Sequence, residues 1–311
     1  MKTHELMVRA AWLYHVEGLT QAQIGDRMNL TRRRVNELLA AALDKGVVRI
    51  SFASSLAENV ALEADMRLAF GLEEAVVAPT PSDPRLLHPV IGRAAAGFLD
   101  RLLPALGPRA IGVGWGTTLR ETVHRMTQTA SGDDRAVICS MMGGLTRGAE
   151  INTFEIVRSF ARTLDAHCHY FAAPIYADSE ASRDLIVAQP VFRDLLDEAA
   201  GVDVSFLSVG DITGESLQVR YGLPVGTDIS EIVAAGGVGD LLGRYLDSGG
   251  RPVDHPLSRQ VISPELERYR EIPVRIIASG GVHKRAILRA VLRAGLATHL
   301  VTDAETAKWL L

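Results

Sequence analysis

Three short stretches carry residue types that can hold a small anion or a polyhydroxyl ligand. Gly112-Val113-Gly114-Trp115-Gly116-Thr117-Thr118 places three glycines ahead of two hydroxyls. Glycines let backbone N–H groups close on a phosphate, and a helix starting there adds partial positive charge. The segment is neither a Walker A loop nor a GxGxxG fingerprint, so a tight structural turn explains it equally well. Lys284 follows Gly280-Gly281. It could meet a phosphate as a point charge or stand in solvent on a first helical turn. Asp240 ends Gly236-Gly237-Val238-Gly239-Asp240. Its carboxylate could accept hydrogen bonds from sugar hydroxyls, or cap a helix over Leu241–Leu246. The nine histidines fall in no metal-binding pattern, and His167-x-His169 reads as two rings on opposite faces of a strand. HExxH and GxSxG are both absent, so neither a metal nor a cofactor is expected.

A fourth stretch, Leu19 to Gly46, carries chemistry of another kind. Ile24, Met28, Val35 and Leu38 recur at helical spacing on either side of Asn29-Leu30-Thr31. Thr20 and Thr31 can each cap a helix. Gly25 is small where two helices would cross, and Asn29 tolerates a left-handed turn. This is the pattern of a helix-turn-helix whose second helix enters the major groove. Arg32, Arg33, Arg34 and Asn36 lie at its start, with Thr20, Gln21 and Thr31 beside them. Successive helical residues rotate by about 100°, so the arginines must divide between phosphates and bases. Arg can pair bidentately with guanine and Asn with adenine. Ala10, Ala11, Leu13, Tyr14 and Val16 suggest a preceding packing helix, and Val47–Phe52 alternates like a strand, forming a wing.

The remaining chain must position the first three stretches. A polar segment near 53–58 separates residues 1–54, a DNA-binding head, from residues 55–311, the body, to which the family resemblance given below assigns effector binding and oligomerisation. In the body, apolar strands over 75–78, 110–113, 136–141, 204–209, 274–278 and 299–302 alternate with amphipathic helices, and most end in glycines. That order implies an α/β fold with a doubly wound, mostly parallel sheet. Ligands bind such sheets at the carboxyl ends of the strands. The charge is divided: residues 1–50 carry a net +3, against −4 for the whole chain, which suits a nucleic-acid head on a different kind of body. The aromatics are sparse and unclustered, arguing against a single-strand platform. Two distant cysteines, Cys139 and Cys168, read as reduced core residues. With no leader-like start and no long apolar run, a cytoplasmic location and no membrane partner are expected.

Together these residues resemble the SorC/DeoR-type sugar-binding transcriptional regulators over nearly the whole chain. The head segment AWLYHVEGLTQAQIGDRMNLTRRRV carries the resemblance with IGVGWGTTL, GGVGDLLGRYLD and ASGGVHKRAILRAVLRAGLATHLVTDAETAKWLL; the last is the most specific. The resemblance implies a body folded like sugar-phosphate isomerases that regulates rather than catalyses. It implies double-stranded operator DNA and a phosphorylated sugar or polyol as partners, and a homodimer or homotetramer. Carried over by position, Gly114, Gly116, Thr117 and Thr118 match the family's phosphate loop, and Asp240 and Lys284 match positions that meet the effector. Asn29 stands where the family often has glycine. The stretch GGLTRGAEINTFEIVRSFA is similar to a branch linked with polyol or short sugar-phosphate metabolism, which implies Arg147 and Asn152 near the pocket. The alternative is an isomerase-like enzyme with an accessory head, Asp211 or Asp240 serving as general base.

Overall fold

The computed structural model describes residues 3–44, 47–48, 55–127, 135–145 and 153–311. It comprises two compact units, Met1–Ser54 and Ser55–Leu311.

In the first unit, α1 (Thr3–His15), α2 (Gln21–Met28) and α3 (Arg32–Asp44) enclose a core that includes Met7, Ala10, Ala11, Leu13, Ile24, Val35, Leu38 and Ala42. The buried stripe of α1 ends at Leu13. Tyr14 and Val16, expected to pack with it, are 40% and 59% exposed; Tyr14 sets its ring edge-on against His15 at 5.0 Å, and Val16 lies past the helix end. Of the strand expected over 47–52, only Val47 and Val48 are described, and Val48 N–H donates to the Ala42 carbonyl at 3.0 Å.

The second unit opens with α4 (Ser55–Phe70), β1 (Glu74–Ala78), α5 (Leu87–Leu106), β2 (Ala110–Val113), α6 (Thr117–Val123) and β3 (Val137–Ser140). It continues with α7 (Thr153–Thr163), β4 (His167–His169), α8 (Glu180–Val187), α9 (Pro190–Ala200), β5 (Val204–Leu207) and α10 (Ile229–Ala234). The last part holds β6 (Gly239–Leu241), β7 (Arg244–Leu246), α11 (Leu266–Arg270), β8 (Val274–Ala278), α12 (Arg285–Arg293), β9 (His299–Asp303) and α13 (Ala304–Leu310). Seven of these strands form one parallel sheet, in the order β1-β9-β8-β5-β2-β3-β4. Parallel pairing needs a crossover between strands, so both faces are covered; β5 and β9 are buried at every position, while edge strand β4 exposes His167 and His169. Side chains alternate between the two cores accordingly. Ile111, Val113, Phe206, Ile276 and Val301 join one core with Ile91, Leu99 and Phe160. Cys139, Leu207, Ile277 and Leu300 join the other with Ile287, Val291 and Leu310.

Two sequence readings of this unit are corrected. Residues 241–246 form no helix; β6 and β7 pair antiparallel as a hairpin. The apolar run Leu241-Leu242-Gly243-Arg244-Tyr245-Leu246 suits either structure by periodicity, but Leu242 at φ 56° and Gly243 at φ 75° make the paired left-handed residues of a two-residue hairpin turn. His167 and His169 share one exposed face of β4, because residues two apart on a strand point the same way; His169 Nδ1 lies 2.6 Å from Glu198 Oε1. Among the described residues no group of side chains is placed to hold a metal ion. Cys139 is buried, Cys168 half-buried, and both are free thiols.

Candidate functional site

The head presents one built surface. Thr20 and Gln23 cap α2 reciprocally: Gln23 N–H donates to Thr20 Oγ1 at 3.4 Å, and Thr20 N–H to Gln23 Oε1 at 2.9 Å. Asn29 ends α2 in the left-handed region (φ 53°, ψ 49°), which Asn accepts more readily than other side chains. The turn then closes as Leu30 N–H donates to the Gly25 carbonyl at 2.8 Å. A Cβ on Gly25 would sit 2.7 Å from the Leu30 carbonyl oxygen, so the turn itself, rather than a helix crossing, requires glycine there. Thr31 Oγ1 accepts from Arg34 N–H at 3.2 Å and caps α3.

The basic residues at the start of α3 are exposed but not all free. Glu37 holds Arg33 at 3.2 Å and Arg34 at 3.0 Å. The two guanidiniums keep its carboxyl below the usual carboxylate range, Arg34 more strongly than Arg33. Arg32 makes no ion pair among the described residues. Gln21 Nε2 donates to Asn36 Oδ1 at 3.3 Å, linking the first turn of α2 to α3. Thr20, Gln21, Arg32, Arg33, Arg34 and Asn36 therefore share one end of the α2–α3 pair. Glu37, which stages two of them, went unread in the sequence, although its spacing to both arginines is that of helical neighbours.

The second candidate site lies at the carboxyl ends of the central strands. From β2 the chain winds outward through β3 to β4; from β5 it winds the other way through β8 to β9. The reversal falls between β2 and β5, where an open α/β sheet leaves its crevice. Gly114 and Gly116 leave β2 there. Gly116 takes φ 130° as the residue preceding α6, a backbone setting that side chains avoid. Thr117 is half-buried and Thr118 is 2% exposed at the start of α6. Asp240 reaches the same place because the hairpin docks on the end of β5: Gly210 and Asp240 exchange both backbone hydrogen bonds, at 3.0 and 2.9 Å. A side chain at 210 would fall on Asp240 Oδ1. The other carboxylate oxygen accepts from Gly243 N–H at 3.0 Å, and this bond holds the left-handed turn. Lys284 follows the Ser279-Gly280-Gly281 end of β8, ahead of α12.

The charges at this site are unbalanced. Asp240 is 6% exposed, and burial pushes its carboxyl up to about 6, against the pull of Gly243 N–H and Lys284. Its Oδ1 has no hydrogen-bond partner, and neither does the hydroxyl of buried Tyr245. Burial lowers Lys284, while Asp211 and Asp240 draw it back up. Among the described residues the Lys284 ammonium has no hydrogen bond and no ion pair. His283 Nε2 stands 3.9 Å from Asp211 Oδ2. An unpaired ammonium and an unsatisfied carboxylate oxygen sharing one site are costly. They suit a ligand with an anionic end and hydroxyls. The structure thus brings together Gly114, Gly116, Thr117, Thr118, Asp240 and Lys284. Arg147 and Asn152 lie outside the described residues. His88 and His283 were not singled out from sequence; they belong to no motif, and only packing places them here.

The comparisons with known proteins agree with this architecture. Residues 54–311 match the family described as "Putative sugar-binding domain". The chain belongs to that family. Residues 7–45 match the profile of sigma-70 region 4, a span that holds α2, α3 and α1 from Met7 onward. The chain is 29% identical to the erythritol catabolism regulatory protein EryD of Brucella abortus, over 98% of this chain and 96% of that protein. It is 27% identical to the transcriptional regulator LsrR of Escherichia coli K12, over 100% and 96%. Among solved structures, the full-length sorbitol operon regulator SorC of Klebsiella pneumoniae is similar with a TM-score of 0.75 and 27% identity, over 98% of each chain. The SorC/DeoR-type resemblance is thus established: the protein is a transcriptional regulator with a helix-turn-helix head and a sugar-binding body. Among the described residues no helix is long and apolar enough to cross a membrane.

Proposed function

We propose that the protein is a cytoplasmic, homo-oligomeric regulator of a carbohydrate or polyol catabolic operon, controlled by a phosphorylated sugar or polyol. The unpaired Lys284 ammonium beside unsatisfied Asp240 Oδ1 is the observation that carries this reading. The phosphoryl group would sit among Gly114, Gly116, Thr117, Thr118 and Lys284. Asp240 would accept hydrogen bonds from the hydroxyl chain, and Arg147 and Asn152 complete the assignment. The naming of one relative for erythritol catabolism supports an effector of the polyol class.

Operator binding is assigned to α3. Arg32 would take a phosphate, Arg33 and Arg34 would leave Glu37 for phosphates or guanine, and Asn36 would read adenine. Thr20, Gln21 and Thr31 would meet the backbone at the adjoining helix ends. Paired heads must reach half-sites at a fixed spacing. An effector that favours one arrangement of the heads then changes DNA affinity by its differential affinity for the two arrangements.

The test is calorimetric titration of the full chain with matched phosphorylated and unphosphorylated polyols and sugars. Binding confined to a phosphorylated compound, and weakened about 10–100-fold in Lys284→Ala, is the expected result, since a charge-assisted hydrogen bond contributes about 1.5–3 kcal/mol. Indifference to the phosphate, or turnover of the compound at ordinary enzyme rates, would overturn the reading.

A further inference from the structure

His88 sits at the start of α5, outside every motif read from the sequence. Its Nδ1 lies 2.9 Å from Thr118 Oγ1. One turn further along α5, Gly92 faces Glu121, where a Cβ would come within 2.6 Å of the Glu121 Cβ. The two helices therefore approach closely just beyond the His88–Thr118 contact. Its Nε2 makes no hydrogen bond to any described residue. The charged groups around it come from two directions: Arg120 and Glu121 on α6, and His283 and Lys284 ahead of α12. Three of these four are cationic or can become so, and Lys284 among them makes no direct ion pair with a described residue. Beyond Lys284 stand Asp211 and Asp240.

Resting on the effector reading above, we propose that His88 is a direct, charge-switching ligand of the effector's anionic group, binding it through Nε2 while Thr118 holds Nδ1. Burial first and then Lys284 and His283 push His88 down to about 4, so the ring is neutral at physiological pH. A dianion placed beside Lys284 reverses that surrounding field. The ring then takes a proton from solvent, Nδ1–H donates to Thr118 Oγ1, and Nε2–H donates to the anion. Binding and proton uptake are thereby linked, and anion affinity rises as pH falls toward 5.

The test uses sulfate as the probe, because it stays a dianion across the pH range and any pH dependence belongs to the protein. Sulfate affinity of the full chain is measured calorimetrically from pH 7.5 to 5.5, with His88→Asn, His283→Asn and Lys284→Ala alongside. Asn keeps a polar group toward Thr118. The expected result is about tenfold tighter binding at the acid end in the unsubstituted protein and in His283→Asn, and a clearly shallower profile in His88→Asn, in which Asp240, held at about 6, is the group still titrating. NMR titration of the His88 imidazole in the unsubstituted protein needs no variant to fold, and should place its protonation at least two pH units higher with sulfate than without. A flat profile in the unsubstituted protein, an unchanged slope in His88→Asn, or an imidazole indifferent to sulfate would overturn the inference while leaving the effector reading intact. Sulfate binding that Lys284→Ala leaves untouched would instead remove the anion site itself, and the inference with it.

Discussion

Replacing Asp240 with Asn should make the empty protein more stable at neutral pH while removing its response to effector. The carboxyl is held at about 6 against an ordinary 3.8, so the folded state holds its proton more tightly than the unfolded chain. The penalty for ionising Asp240 is therefore fully present above pH 6 and absent below the ordinary value. A shift of about two units corresponds to about 3 kcal/mol. For a unit of this size that is a rise in Tm of about 5–10 °C. Asn can still accept from Gly243 N–H, so the hairpin turn survives the change. The assay is thermal unfolding of both proteins from pH 7.5 to 4. The gap between them should be widest at pH 7.5, shrink as pH falls through 6, and close near 4. A gap that is constant with pH, or a variant less stable at pH 7.5, would refute the argument that Asp240 is an ionised, uncompensated ligand group.

Three further perturbations separate the roles assigned to the head. Arg33→Ala with Arg34→Ala should weaken binding to mixed-sequence duplex and lower the salt slope by up to about 2, one per phosphate contact; an unchanged slope in a salt series would remove these side chains from the backbone. Glu37→Gln should act in the opposite direction, raising affinity for the same duplex because Arg33 and Arg34 are released, as a filter-binding titration would show. Gly25→Ala should destabilise the head by about 1–3 kcal/mol from overpacking against the Leu30 carbonyl, although alanine is the better helix former by about 1 kcal/mol. Faster proteolysis within residues 1–54 of the intact chain is the readout, and slower proteolysis would mean that the turn can relax.

Much of this architecture could be read from residue order because its signals are local. The caps at Thr20 and Thr31, the left-handed turn at Asn29, and the runs that became β2 and β8 depend on neighbours a few positions away. The β6–β7 hairpin could not be read that way. Its apolar run satisfies a helical period, and the left-handed Leu242 is held by the bond from Gly243 N–H to Asp240 in a hairpin anchored on Gly210, thirty residues earlier. The same long-range packing explains the candidate site. Glycine-rich strand ends marked Gly114, Gly116, Asp240 and Lys284, because such ends are where backbone must approach a ligand. His88 carried no signal, since only the packing of α5 on α6 brings it to Thr118.

The most direct test of the account is binding of the full chain to an operator selected from a random duplex library, at fixed salt, with and without the matched phosphorylated and unphosphorylated compounds. One phosphorylated sugar or polyol should shift operator affinity by about 5–150-fold, the range of ordinary coupling energies. Lys284→Ala should bind the operator normally and lose the shift. Operator affinity indifferent to every compound, or a Lys284→Ala protein that responds like the unsubstituted one, would contradict it.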